Sequence, residues 1–207
     1  DEIRSRGLGD VYKRQILKGT IMNYNKYERY KDAKFFKFSE EYPVIMKTYP
    51  DWKEINPILE KYIREQGDRK NKRTNVKAQM TEWNMQVEAG GEHFQKICDF
   101  ARELSLENSP VQFIPDVYDC WGAVYRKGEF TQSHDHWPSI WSWCYYVNVS
   151  SKCSPLHFKN ASGILNEPLN VQPSNGLMVI FPGWVKHEVK PQTVSYTHLR
   201  AHETVSH

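Results

Sequence analysis

Apolar residues recur at helical spacing in two segments of the first half of the chain. In WKEINPILEKYIREQ, Trp52–Gln66, the isoleucines and the leucine fall close to an i, i+3, i+4, i+8 pattern, and the same spacing recurs in Glu92–Leu104. The pair Gly90–Gly91 marks a break just before the second segment. A period near that of the α-helix predicts two amphipathic helices.

From Val117 onward the pattern changes to short runs of Val, Ile, Tyr, Phe and Trp, separated by clusters of Gly, Pro, Asn and Ser. Such runs are typical of strands joined by turns. The predicted strands are Val117–Arg126, Phe130–His136, Ile140–Val149, Pro155–Lys159, Leu177–Phe181 and Val185–Lys190. Helices followed by about seven or eight short strands predict an α+β fold: a double-stranded β-helix (jelly roll, cupin-like) with N-terminal supporting helices.

Length, charge and cysteine content limit the function classes. A chain of 207 residues with 39% hydrophobic content predicts one domain with a substantial core. The net charge of +3 does not suggest the dense basic face of a nucleic-acid partner, and no apolar run is long enough to predict a membrane span. Four cysteines without a CxxC pair predict free thiols and a cytoplasmic location. Nothing in the sequence indicates an oligomeric state.

The two ends of the chain differ from its middle in residue pattern and composition. DEIRSRGLGDVYKRQ and VSYTHLRAHETVSH have little apolar periodicity, and the second holds three of the eight histidines. Both resemble peptides translated from sequencing-adapter read-through, which predicts a non-native leader at 1–15 and a non-native tail at 194–207. A single domain is then expected over 16–193, helical over 16–116 and β over 117–193. Alternatively, both ends are ordinary polar tails whose histidines are solvated.

Candidate chemistry is concentrated in two segments, GEFTQSHDHW and NGLMVIFPGWVKHEVKP. Alternate side chains of a strand share a face, so His134 and His136 should point the same way while Asp135 points the other way. His187 lies 51 residues after His136, just beyond an apolar strand and a Pro-Gly turn. Three neutral imidazoles with open positions beside them suit iron, copper, nickel or zinc. Alternatively, these histidines are ordinary exposed residues.

The segments HDHWPSIWSWCYYVN and GLMVIFPGWVKHEVKP are similar to the iron-binding strands of the 2-oxoglutarate and iron(II) dependent dioxygenase superfamily. The likeness is strongest to its prolyl-4-hydroxylase-like branch and to oxygenases of marine bacteria and their phages, and it covers roughly 117–191, with a weaker part at 74–85. It implies Fe(II) on His134, His136 and His187, 2-oxoglutarate as cosubstrate, and ascorbate as a further candidate cofactor. The implied reaction hydroxylates a small-molecule or protein side-chain substrate and releases succinate and CO2.

The resemblance also implies which residues bind the cosubstrate. At one position the chain departs from the motif that most of the superfamily has. Tyr146 matches a residue that contacts the 2-oxoglutarate carboxylate, and Tyr125 lies near another cosubstrate position. A basic residue is expected nine or more positions after the distal histidine, where Arg200 stands inside the predicted tail. Most of the superfamily has HxD where this chain has His136, although the branch named above often has HxH. A ligand role for Asp135 would need a bulge that turns it inward.

Two other functions stay open at this point. The spacing satisfies much of the cupin pattern, G(x)5HxH and G(x)5P(x)4H, but Ile140 and Trp141 stand where its glutamate is expected. A missing basic anchor would favour a cupin-type metalloenzyme that does not use 2-oxoglutarate. Failure to bind a metal would favour a non-catalytic jelly-roll binding module. Trp137, Trp141, Trp143 and Trp184 are candidates either for the walls of a pocket or for core packing.

Overall fold

The structure is a computed structural model that describes residues 42–68, 74–88, 90–109, 115–159 and 168–194, and the backbone of 196–205. The predicted leader at 1–15 lies outside these residues. Two helices and eleven strands are described. They are β1 Ile45–Thr48, α1 Trp52–Gln66, β2 Val76–Lys77, β3 Gln79–Met80, α2 Gly91–Asn108, β4 Pro115–Tyr125, β5 Phe130–His134, β6 Trp141–Asn148, β7 Leu156–Phe158, β8 Leu169–Val171, β9 Leu177–Pro182, β10 His187–Val189 and β11 Tyr196–Val205.

Both predicted helices form, and each of the six predicted strands has a counterpart in the structure. Two boundaries matter for the site, because β5 already ends at His134 and β10 begins only at His187. Five further strands were not predicted. β1, β2, β3 and β8 are too short to show a clear alternation, and β11 lies in the predicted tail.

The strands form two sheets in which the paired strands run antiparallel. The larger sheet has the order β1-β9-β6-β11-β4-β3, and the smaller one has the order β2-β5-β10-β7-β8. One hydrophobic cluster joins both sheets, with Trp121 and Phe181 from the larger and Phe158 and Val189 from the smaller. The space between the sheets is therefore the core of a jelly roll.

Strand β6 explains how the helices attach to this core. Its first seven residues, WSWCYYV, are all buried, because both faces of the strand are covered. Cys144 and Tyr146 face the space between the sheets, whereas Trp143 and Tyr145 belong to a second cluster with the apolar faces of α1 and α2. The helices thus support the outer face of the larger sheet, as predicted. Among the described helices, none is long and apolar enough to cross a membrane.

The predicted tail contributes a central strand. The backbone of β11 pairs along β4 on one side and along β6 on the other, so it fills the space between them. The expectation that residues 194–207 are non-native concerns the origin of this segment and stays a prediction.

Candidate metal centre

The side chains of His134, His136 and His187 converge on one point. Their ring nitrogens all lie within 4.8 Å of one another, and the Nε2 atoms of His136 and His187 are 3.3 Å apart. Nitrogen–metal bonds of about 2.1 Å place adjacent ligand nitrogens roughly 3 Å apart. The three rings are therefore spaced as a facial set of metal ligands requires.

Backbone hydrogen bonds orient two of these rings. His134 Nδ1 lies 2.8 Å from the carbonyl oxygen of Gln132, and His187 Nδ1 lies 3.0 Å from that of Val185. A carbonyl oxygen can only accept, so each Nδ1 carries the proton and donates it. Each Nε2 is then the unprotonated nitrogen, and an imidazole in this form can bind a metal.

Strand pairing places two of the three histidines, His134 and His187. His134 is the last residue of β5, His187 is the first residue of β10, and the two are directly paired in the smaller sheet. The ring of His187 is buried against those of Phe181 and Phe158, with centroid distances of 4.6 Å and 6.1 Å. This packing limits the rotation of the imidazole and keeps water away from one side of it.

His136 is placed in a different way from the one that strand alternation predicts. It lies beyond the end of β5, so the pleat of a strand does not decide where its side chain points. Its backbone N–H instead donates a 2.6 Å hydrogen bond to the carbonyl oxygen of Gly183, and the N–H of Gly183 donates to Ile140. These bonds tie the segment after β5 to the turn that leads into β10.

This tie requires a glycine at position 183. A Cβ atom there would lie 2.0 Å from the carbonyl oxygen of Ser139, which is far inside contact distance. The backbones of the two ligand-bearing segments can approach this closely only because Gly183 has no side chain.

Asp135 does not belong to the histidine cluster. Its side chain is half-buried, and its Oδ1 accepts a hydrogen bond from the N–H of Trp137 at 3.3 Å.

The four tryptophans that the sequence suggested as pocket walls or core residues divide into two groups. Trp141 and Trp143 are buried in the cluster beneath the helices, whereas Trp137 and Trp184 are 74% and 48% exposed on the two segments that meet at Gly183.

A cavity of about 260 Å³ opens beside the histidines. Its lining residues come from β2, β3, β4 and β5, from the residues just before β2, and from those just after β3 and β5. They are Thr74, Asn75, Val76, Met80, Trp83, Trp121, His134, Asp135 and His136.

The three residues that were predicted to bind the cosubstrate belong to strands of the larger sheet. Tyr125 and Tyr146 are fully buried in the cluster between the sheets, and the hydroxyl groups of Tyr125 and Thr131 share a short hydrogen bond. Neither tyrosine lines the cavity. Arg200 is paired in register with Trp121 on β4 and with Cys144 on β6.

Comparison with known protein families agrees with this site. Residues 119–200, which hold the three histidines, match the model of a family described as "Putative 2OG-Fe(II) oxygenase". Over these residues the chain is similar to 2OG-Fe(II) oxygenases. The description of this family names Fe(II) and 2-oxoglutarate, and the three histidines offer ligand atoms that could hold such a metal ion. No curated protein sequence matches this chain.

Solved structures share its fold. A Pseudomonas putida prolyl-4-hydroxylase is 19% identical, with a TM-score of 0.61 over 80% of this chain and 94% of that one. A viral collagen prolyl hydroxylase from Paramecium Bursaria Chlorella virus-1, in complex with 2OG, is 14% identical, with a TM-score of 0.59 over 80% and 97%. A Trichoplax adhaerens prolyl hydroxylase, in complex with a hypoxia inducible factor peptide fragment, is 15% identical, with a TM-score of 0.62 over 97% and 94%. The predicted double-stranded β-helix with supporting helices is confirmed.

Proposed function

We propose that this protein is an Fe(II)- and 2-oxoglutarate-dependent oxygenase that hydroxylates its substrate with release of succinate and CO2. His134, His136 and His187 hold its Fe(II), and its substrate is a protein side chain or a small molecule. The observation that carries the ligand assignment is the convergence of the three rings to within 4.8 Å. Three neutral nitrogen donors suit a borderline metal such as Fe(II) and leave the remaining coordination positions open. Bound iron would activate O2, with 2-oxoglutarate as the co-reductant, and so supply the oxidising power that converts a C–H bond of the substrate to C–OH.

In this proposal the protein itself provides orientation and exclusion of water. The carbonyl groups of Gln132 and Val185 keep the Nε2 atoms of His134 and His187 unprotonated. Phe158 and Phe181 shield His187 from solvent. Tyr125, Tyr146 and Arg200 are proposed to bind 2-oxoglutarate, with the guanidinium group pairing its far carboxylate.

A protein substrate is favoured over a small molecule by the surface around the site. Trp137 and Trp184 present large apolar side chains to solvent on the two segments that carry or flank His136 and His187. The Trichoplax relative is bound to a peptide fragment, and the viral relative is described as a collagen prolyl hydroxylase.

The four described cysteines are buried free thiols, which supports a cytoplasmic location.

The test of the ligand set is succinate formation from 2-oxoglutarate, measured with and without oxygen and added iron(II). We expect His134→Ala and His187→Ala to abolish oxygen-dependent succinate and to remove tight metal binding. His136→Asp replaces one possible ligand by another, so it should still bind the metal. The matched control is Asp135→Asn, which changes the residue between the two histidines and should retain metal affinity.

The outcomes separate the candidate functions. If Asp135→Asn loses the metal while His136→Ala retains it, the carboxylate is the ligand and the proposed set is wrong. If iron binds to the three histidines but no succinate forms, a cupin-type enzyme that does not use 2-oxoglutarate is favoured. If no divalent metal binds, the binding-module interpretation replaces the proposal.

A further inference from the structure

The cavity beside the histidines has an acidic and aromatic wall. Among the described residues that line it are Asp135, Trp83 and Trp121, and none of the others is a lysine or an arginine. Asp135 and Trp83 are both half-buried, so a molecule that enters the cavity can contact them. A carboxylate next to aromatic rings attracts a cation and repels an anion.

Asp135 retains hydrogen-bonding capacity for a ligand. A carboxylate group has two oxygens, which together accept about four hydrogen bonds. Oδ1 of Asp135 accepts the N–H of Trp137 over the long distance of 3.3 Å, and no ion pair joins Asp135 to another described residue. By contrast, the carboxylate of Glu188 is 2.8 Å from the amino group of Lys159. The described part of the chain therefore supplies no cation to balance the charge of Asp135.

We propose that this cavity receives the cationic side chain of a lysine or arginine residue and that Asp135 pairs with its positive charge. The inference rests on the proposed function and deepens it by naming the substrate class. Fe(II) on three neutral imidazoles carries two positive charges, which the two carboxylates of 2-oxoglutarate cancel. Asp135 then leaves one negative charge on the described wall, and a singly charged cation neutralises it.

The size and position of the cavity fit one extended side chain. Its volume of about 260 Å³ is just below the range of roughly 300–1,000 Å³ for small-molecule sites, so a folded segment does not fit. Trp83 offers apolar surface to a methylene stem and a ring face to an ammonium or guanidinium group. His134 and His136 line the same cavity, so a stem that reaches Asp135 passes beside the proposed metal.

A peptide is favoured over a free amino acid as the source of this side chain. The backbone N–H that Asp135 accepts belongs to Trp137, whose own side chain is 74% exposed. The polar contact in the cavity and the apolar surface outside it are thus two residues apart. A peptide that covers Trp137 can insert one of its side chains towards Asp135.

The test measures binding of simple probes to the full chain loaded with Zn(II) and 2-oxoglutarate, in which no turnover occurs. The probes are n-butylammonium, n-butanol and n-butanesulfonate, which share a butyl chain and differ in charge. Nuclear magnetic resonance of the 15N-labelled indole groups follows binding, and Trp83→Phe assigns the Trp83 signal. We expect n-butylammonium to bind about tenfold or more tightly than the other two probes, as for a hydrogen bond between charged groups.

Asp135→Asn removes the charge while it keeps the size of the side chain and an acceptor for the N–H of Trp137. We expect this variant to bind n-butylammonium and n-butanol within about twofold of each other, with unchanged affinity for Zn(II). The matched control is Asp116→Asn, because Asp116 is an exposed carboxylate near Arg102 and does not line the cavity. It should keep the full preference for the cation.

A second set of probes distinguishes the two sources of the side chain. It consists of free lysine, a pentapeptide of glycines with a central lysine and blocked ends, and the same peptide with the lysine acetylated. We expect the lysine peptide to bind more tightly than both of the others. Equal or tighter binding of free lysine would contradict a peptide as the source.

Three results would overturn the proposal. They are equal affinity for the cation and the neutral probe, an undiminished preference in Asp135→Asn, and tighter binding of n-butanesulfonate. The last result would direct attention to the basic segment 69–73, which lies outside the described residues.

Metal binding and succinate formation in the same preparation separate this inference from the proposed function. If Zn(II) binds and the iron-loaded chain forms succinate, but the cation has no advantage, the substrate class is wrong while the proposed function stands. If neither metal binding nor succinate formation is found, the proposed function fails, and the inference fails with it.

Discussion

At the scale of single residues, Asn56 holds helix α1 to strand β6 through polar contacts. Its side chain is 5% exposed, and its Nδ2–H donates a 2.5 Å hydrogen bond to the carbonyl oxygen of Val147. Its Oδ1 accepts one from the hydroxyl of Tyr145 at 2.6 Å. Burial raises the pKa of Tyr145, so this hydroxyl keeps its proton and remains a donor. A helical periodicity analysis cannot detect this residue, because its partners are about 90 positions away.

We expect Asn56→Ala to destabilise the protein strongly. The substitution leaves the Tyr145 hydroxyl and the Val147 carbonyl buried without partners, which should lower the free energy of unfolding by about 2–4 kcal/mol. Thermal unfolding followed by circular dichroism should show a midpoint lower by roughly 5–10 °C. Asn148→Ala is the control, since its contacts with Glu60 are exposed and should contribute little. Equal midpoints for the two variants would contradict the assigned role of Asn56.

At the scale of elements, the site is formed where two connections meet. The segment between β5 and β6 carries His136, the turn between β9 and β10 precedes His187, and Gly183 joins them through two backbone hydrogen bonds. The strands alone bring together His134 and His187. The close approach at Gly183 then adds the third ligand, so the metal centre depends on the packing of one turn against another.

Gly183→Ala should therefore weaken metal binding more than it weakens the fold. The added Cβ would overlap the Ser139 carbonyl, so the turn must move and His136 with it. We expect the affinity for Fe(II) or Zn(II) to fall by about tenfold or more, because a ligand displaced by one ångström or so binds poorly. Competition with a coloured chelator measures this change.

Gly128→Ala provides the control for this prediction. Gly128 has a φ of +87°, but no atom lies within 4 Å of the position that its Cβ would take. Alanine there should cost about 1 kcal/mol of stability through backbone strain and leave metal affinity unchanged. A metal affinity of Gly183→Ala equal to that of the wild type would show that the turn does not place His136.

At the scale of the whole molecule, the fold is completed by its last described strand. β11 lies between β4 and β6, so without it the backbone groups of β4 and β6 that face it would have no partner in the sheet. Exposed edges of this kind promote aggregation. The interior row that contains Trp121, Tyr125 and Tyr146 belongs to the same two neighbouring strands.

Truncation after Thr193 should abolish the native fold. We expect the shortened chain to lose its cooperative thermal transition and to elute as aggregates in size-exclusion chromatography. Truncation after Val205 removes only two residues beyond β11 and should leave both properties intact. If the chain that ends at Thr193 unfolds with the same midpoint as the full chain, β11 does not stabilise the sheet and the predicted foreign origin of the tail gains support.

The sequence by itself determined the two helices, the main strands and two segments with candidate ligands, because periodicity and residue type are local properties. It also indicated the family, since the HxH motif and the distal histidine are read from the chain. Only the tertiary structure decided how His136 is placed, why position 183 is a glycine, which partners Asn56 has and that Trp121 lines the cavity. Each of these depends on contacts between residues far apart in sequence, and a local pattern cannot specify such contacts.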